Sequence, residues 1–210
     1  LSAGFTPLHI GDITTQSLAG LRILLINEFN NGAPTPALLS RLPDIQAWVN
    51  AGGRLMVHDR GAGLTTPNPF LLGTPGLGTV SALTSDLNMI DPATTLVSAG
   101  PFGILTNTSL DGGSSSAHGY VPVASLPPQS RAILSFAGNS NQIAGLSYPL
   151  GAGFVYYSTI PLDYYLAGAA NVITTNLQTI YTPNALIYLH TLNAPLRFLP
   201  PGLAGGSVLP

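Results

Sequence analysis

Two apolar runs joined by one helical stretch do most to limit how this chain can fold. "LRILLINEF" (21–29) is a continuous apolar segment ending in polar residues, and "RLMVH" (54–58) is a second. Such runs are the mark of strands covered on both faces, as in a parallel sheet. Between them, "TPALLSRLPDIQAWVNAGG" (35–53) has apolar residues at 38, 39, 42, 45, 48 and 49, a helical spacing. Pro43 is expected to divide this stretch into a short first turn and a main helix that begins at Pro43, with Asp44 near its positive end. Gly52 and Gly53 then stop the helix. Strand, helix and strand in such close succession form a βαβ unit, whose crossover is right-handed. Trp48, the only tryptophan, follows the spacing of Leu38, Leu42 and Ile45 and is expected to be buried between helix and sheet.

The rest of the chain is less regular. Residues 1–20 carry no period and read as an extended arm, and 61–79, dense in Gly, Pro and Thr, as a long loop. The middle section (80–126) offers the strand-like pieces "TVSAL", "TTLVS", "GILTN" and "GYVPVA", with "DGGSSSAHG" (111–119) as a flexible polar loop. "DLNMID" (86–91) groups Asp86, Asn88 and Asp91 but lacks the glycine and distal Glu of a calcium loop, so it reads as a turn. "RAILSFAG" and "QIAGLSYPLGAGFVYYSTI" read as three consecutive strands, the last two joined around Gly151 and Gly153. In "TPNALIYLHTL" (182–192), Thr182 is placed to cap a helix with Pro183 at its first position. The expected organisation is an arm (1–20), one α/β domain (21–194) and an extended Pro/Gly-rich tail (195–210). Both ends are too apolar to stay solvated and too rich in Pro and Gly for helices, so they must be covered by their own domain or by a neighbour, and at least one is expected to pack on an adjacent copy.

Charge narrows the function classes. Only 7% of residues are charged, against roughly 25% in an ordinary soluble domain. Lysine is absent and Glu28 is the only glutamate. A net charge of −2 without a basic run argues against nucleic acid. No apolar run is long enough to span a membrane. The lack of cysteine removes thiolate metal ligands and cysteine nucleophiles together. So little charge also leaves little repulsion between copies. These features lean towards an exported protein, extracellular or at the cell surface. "LSAGFTPLHI" lacks the basic start of a secretory leader, so a leader is expected to have been removed or never present.

Four stretches, "LRILLINEFN", "IQAWVNAGGRLMVHD", "PLGAGFVYYSTIPLDYY" and "YTPNALIYL", resemble the class I glutamine-amidotransferase-like domains of flavodoxin type, especially their non-enzymatic and trehalose-utilisation-like branches. There a strand leads to a helix ending in a V-x-x-GG turn and straight into a second strand. Near the end, a G-x-G-x-V hairpin strand precedes a closing N-x-x-x-Y helix. The resemblance covers 20–60 and 130–192. It implies an α/β fold with a flavodoxin-like, amidotransferase-like sheet, an N-terminal βαβ unit, a β-rich middle section and extended terminal arms. The family's reaction needs a nucleophile on a sharp strand-to-helix elbow. There is no cysteine for it, and "GLSYP" and "GGSSSA" both lack the closing glycine of G-x-S-x-G. No catalytic residue, cofactor or metal is therefore expected.

In open α/β sheets, ligands bind beyond the carboxyl ends of the strands. Glu28 and Asn30 lie just past the first strand, His58, Asp59 and Arg60 just past the second, and Asp163 follows "VYYSTIPL". If these strands are parallel neighbours, the residues line one rim, with His58, Asp59 and Asp163 in a single cluster. A histidine beside carboxylates suits acid–base work or a divalent metal. The competing reading makes these scarce charges paired anchors that cap loop amides and fix 61–79. His118, near Asp111, reads as part of a solvated loop, and Asn107 in "NTS" is a formal glycosylation acceptor. Tyr156, Tyr157, Tyr164 and Tyr165 fit rim packing or stacking on a sugar. The leading functional expectation is a structural module that self-associates into an extracellular filament or layer, with copies of itself as partners. The alternatives are a carbohydrate or small-ligand binding domain at the rim, with glycans as partners, or a metal-assisted hydrolase there.

Overall fold

Strand β1 (Leu24–Asn27), helix α1 (Pro36–Asn50) and strand β2 (Arg54–His58) follow one another in the computed structural model, which describes residues 3–28, 31–91 and 95–193. β1 and β2 are parallel, with Leu24 opposite Leu55 and Asn27 opposite His58. Thr35 caps α1 by accepting from the Leu38 N–H at 3.2 Å, and Pro36 fills the first position, where no N–H is needed. Gly52, at φ +113°, turns the chain out of the helix. Gly53 lies against the Trp48 ring, where a Cβ has no room.

Three expectations for this unit need correcting. α1 runs unbroken through Pro43. Proline forfeits one helical hydrogen bond, but Pro43 and Leu39 are on the exposed side, where the freed Leu39 carbonyl is open to water. Asp44 pairs with Arg41 instead of opening a helix. Trp48 is only half-buried, because the stripe facing the sheet is Leu42, Ile45 and Val49 and Trp48 lies at its margin. Finally, β1 is an edge strand. Leu24 and Ile26 are buried, while Leu25, on the other face, is 37% exposed.

The remaining strands are β3 (Val80–Thr84), β4 (Leu87–Met89), the short pair β5 (Ala99–Gly100) and β6 (Gly103–Ile104), β7 (Ala117–Pro122), β8 (Arg131–Phe136), β9 (Asn139–Leu150) and β10 (Gly153–Ser158). The main sheet has the order β1-β2-β10-β9-β7-β3, with β8 on β9 and β4 on β8. β10 is parallel to β2, Val155 opposite Leu55, and antiparallel to β9 across a turn at Gly151, φ +63°. The result is a mixed α/β sheet in which β1, β2 and β10 are parallel. "DLNMID" supplies β4 rather than a turn, and "TTLVS" forms a turn at 96–98 rather than a strand. "DGGSSSAHG" ends inside β7, which puts His118 on a strand.

After β10 come α2 (Leu162–Leu166), α3 (Thr174–Asn176), a π-helical turn (Leu177–Tyr181) and α4 (Thr182–Thr191). Thr182 is not the cap expected of it but the first residue of α4, which continues directly from the π-helical turn. Its hydroxyl donates to the Leu177 carbonyl at 2.6 Å, and the widened turn before it accommodates Pro183, which has no N–H to give. The sheet separates two cores. Leu55, Val57, Val155 and Tyr157 pack with Ile45 and Val49 of α1 on one face; Met56, Tyr156, Tyr181 and Leu189 pack on the other. Ahead of β1, Ala3 and Leu18 are buried and the Phe5 ring meets His190 edge-on at 5.4 Å, so this arm lies against its own chain. Residues 195–210 and Asn30 lie outside the described residues. Among those described, no helix is long and apolar enough to cross a membrane.

Candidate binding cleft at the carboxyl edge of the sheet

The ladder of the three parallel strands runs one residue past their ends. The Glu28 N–H donates to the His58 carbonyl at 3.0 Å, and the Asp59 N–H to the Ser158 carbonyl at 2.8 Å. Glu28, Asp59, Arg60 and the start of α2 therefore share one edge. Strand alternation then divides them. Leu55, Val57 and Asp59 face α1, whereas Met56 and His58 face α4.

Asp59 is 2% exposed and fully engaged on its Oδ2, which accepts from the Tyr157 hydroxyl at 2.5 Å and from Asn68 Nδ2 at 2.6 Å. Asn68 also reaches Thr79 Oγ1 at 3.0 Å, and its own Oδ1 accepts from the Phe70 N–H at 2.9 Å. The Gly63 N–H closes the set on Thr79 Oγ1 at 2.8 Å. A loop rich in glycine and proline is thus tied to the strand end by one buried asparagine. Glu28 Oε2 accepts from the Gly61 N–H at 2.8 Å, while the buried Oε1 has no donor. Burial first, then the hydrogen-bonding contact with Asp59 and its charge, push the Glu28 pKa up to about 8. Glu28 therefore holds its proton at neutral pH, beside Asp59. Gly61 is required here, since a Cβ would stand 2.6 Å from the Gly32 carbonyl oxygen and 2.8 Å from Glu28 Oε2.

Arg60 spans the edge. Its Nη1 donates to Asp163 Oδ2 at 2.8 Å, its Nε to Asn31 Oδ1 at 2.7 Å, and its guanidinium carbon lies 5.6 Å from the centre of the Tyr164 ring. The charge of Asp163 adds the smallest push to the raised Glu28 pKa. Glu28, Asp59, Arg60 and Asp163 thus come together. His58 does not join them, contrary to the single cluster expected. Its Nε2 lies 3.1 Å from the Tyr181 hydroxyl, which lies 3.0 Å from that of Tyr156, all inside the opposite core. Burial alone lowers the His58 pKa to about 3, so the ring is neutral.

In front of Arg60 is a cleft of about 460 Å³. Asn31, Arg60, Ala62 and Leu64 approach from the loops after β1 and β2; Ser81 and Leu83 from β3; Ser114 and Ser115 from the approach to β7; His118 from β7 itself; and Pro161 and Tyr164 from beyond β10. Glu28, Asp59 and His58 are not among its walls. Sequence reasoning passed over Asn31, Asn68 and Thr79, and read the cleft-lining His118 as part of a solvated loop. The usable signals were Asn68 between two prolines ahead of an aromatic, and the alternation "AHGYVP" that marks a strand. Among the described residues, no group of three or more His, Asp or Glu side chains is arranged to hold a metal ion.

No protein-family model matches the chain, and no curated protein does. Among solved structures, it is similar to the cytoplasmic protein STM3548 from Salmonella typhimurium, at 13% identity and a TM-score of 0.41, over 76% of this chain and 71% of that one. It is also similar to the exo-β-1,4-mannosidase Op5Man5 from Opitutaceae bacterium strain TAV5, at 13% identity and a TM-score of 0.40, over 83% of this chain but 26% of that one. At such scores neither likeness extends to a site or an activity.

Proposed function

We propose that the chain is a non-enzymatic, exported binding module of flavodoxin-type, amidotransferase-like architecture. Its cleft at the carboxyl edge takes a small polar ligand of the carbohydrate class. The observation that carries this reading is the convergence of five segments on one cleft that mixes Arg60, His118 and three serines with Leu64, Leu83 and Tyr164. Apolar walls with a few placed polar groups suit a small ligand. The carboxyl groups that acid–base chemistry would use are sealed behind Asn68, Tyr157 and Gly61, which favours binding over turnover. The test is an NMR titration of the full chain with a panel of neutral and charged mono- and disaccharides. Amide shifts confined to 60–64, 81–83, 114–118 and 161–164 are expected. A panel that shifts none of these ends the reading.

Self-association into a filament or layer is the second reading. It is favoured by β3, which closes one end of the sheet path and exposes Val80 (40%) and Leu83 (69%). An open edge with apolar side chains in a charge-poor protein invites pairing between copies. Light scattering and electron microscopy at rising concentration check it, and a strictly monomeric protein removes it.

A further inference from the structure

We infer that the ligand is an uncharged polyol of one or two sugar rings, one of whose hydroxyls donates to Nε2 of His118. This rests on the cleft being a carbohydrate site and goes further by assigning the group that reads the ligand. The backbone of His118 is fixed by its N–H to the Thr159 carbonyl at 2.9 Å. Its Nδ1 lies 3.1 Å from the Arg60 carbonyl oxygen. A carbonyl only accepts, so Nδ1 carries the hydrogen, and the neutral ring must hold its lone pair on Nε2. Among the described residues Nε2 makes no hydrogen bond, and it is not one of the buried polar atoms left without a partner. An oriented acceptor thus opens on the cleft that this ring lines. The charged groups that act on His118 are Arg60, Asp163 and Asp59. With burial as the largest cause, followed by Arg60, its pKa lies below the ordinary value, which keeps the acceptor available at neutral pH.

The charge of the ligand follows from the same neighbours. Arg60 is matched by Asp163 at 2.8 Å, so an anion meets no spare positive charge. The Asp163 side chain is only 8% exposed and faces that guanidinium, so a cation would have to displace Arg60 to reach it. Uncharged hydroxyls avoid both penalties. They also find two-way partners in Ser81, Ser114 and Ser115, while Leu64, Leu83 and Tyr164 are placed to cover a ring's C–H face. A cleft of about 460 Å³ lies within the usual small-molecule range.

Three neutral methyl glycosides (gluco, galacto and manno) and the corresponding uronates and amino sugars separate the possibilities, titrated against the full chain at pH 7.5 with cleft amides as the readout. A neutral glycoside is expected to bind at least about 10-fold tighter than either charged counterpart. Nitrogen-15 spectra of the free protein should show the Nδ1–H tautomer at His118. His118→Asn keeps a donor for the Arg60 carbonyl but loses the distal acceptor, and should weaken binding about 10-fold with the remaining amide spectrum unchanged. His118→Gln restores an acceptor near the Nε2 position and should stay within about threefold of the wild type. A uronate or amino sugar that equals the neutral glycoside, an Nε2–H tautomer, or unchanged binding by His118→Asn overturns the inference while leaving a cleft ligand in place. The absence of any shift at the cleft amides removes the carbohydrate site itself.

Discussion

Replacing Glu28 with Gln should make the protein more stable in mild alkali and leave it unchanged in acid. In the folded chain this carboxyl has one donor, the Gly61 N–H, and lies beside Asp59, which raises its pKa from 4.5 to about 8. Below pH 4.5 both the folded and unfolded chains hold the proton. Between 4.5 and 8 the unfolded chain releases it while the folded chain does not, so stability falls as pH rises, by up to about 1.4 kcal/mol per unit. Above 8 both states are ionised and the dependence ends. The full window sets a ceiling of about 5 kcal/mol, and relaxation of a group at the domain edge brings the expected loss to about 2–3 kcal/mol. Glutamine has no proton to lose. Its carbonyl can accept from Gly61 and its amide can donate to Asp59. Urea denaturation followed by fluorescence at pH 4.5, 6, 7 and 8.5 compares the two proteins. Glu28→Gln should match the wild type within about 0.5 kcal/mol at pH 4.5 and exceed it by about 2–3 kcal/mol at pH 8.5. Groups remote from residue 28 titrate equally in both proteins, so the difference reports residue 28 together with its contact to Asp59. Curves that stay parallel across this range, or a variant less stable at pH 8.5, would refute the protonated assignment.

Arg60→Ala strands the Asp163 carboxylate in a nearly dry site and should lower stability by about 2–4 kcal/mol in chemical denaturation. Arg60→Lys should recover little, since an ammonium cannot bridge Asn31 and Asp163 while lying over Tyr164. Asn68→Ala removes the link between Asp59, Thr79 and the Phe70 amide, with an expected loss of about 2–3 kcal/mol and protease cleavage appearing within 61–79. His58 titrates near 3 when folded and 6.5 when unfolded, so the stability it contributes is present above pH 6.5 and is lost as pH falls towards 3. His58→Leu should flatten that acid limb by up to about 1.4 kcal/mol per pH unit, measured by thermal unfolding between pH 3.5 and 7.

What could be read from the sequence was set by short-range physics. Gly52-Gly53 act through adjacent backbone, and the Gly151 turn joins strands that are neighbours in sequence, so the end of α1, β2 and the β9–β10 hairpin were legible, whereas the start of α1 at Thr35-Pro36 was not read. Pro43 misled because the cost of a helical proline depends on whether the freed carbonyl meets water, which only the tertiary arrangement decides. β4 was hidden because its partner β8 lies far along the chain, and three residues carry too little pattern to announce a strand. The residues of the edge were legible but their grouping was not. Period-2 alternation already sends His58 and Asp59 to opposite faces, yet treating a strand end as a rim blurred a distinction that two buried cores enforce. Asn68 eluded the reading because its bonds to Asp59 and Tyr157 depend on the path of a long loop.

The pairing of β2 on both edges also has a consequence for the order in which the molecule can be made. One neighbour, β1, is already in place when β2 leaves the ribosome. The other, β10, is not, because Leu55 must wait for Val155. Until then β2 has one bare edge, Asp59 lacks the Tyr157 hydroxyl, and Arg60 lacks Asp163. The cleft shares that delay, with walls that begin at Asn31 and finish at Tyr164. Contacts so distant along the chain form slowly, and unpaired strand edges are exposed to association in the meantime. A nascent chain stopped before β10 therefore holds nearly all the residues of the cleft without holding the cleft, and its vulnerable period is set by translation rather than by the finished fold.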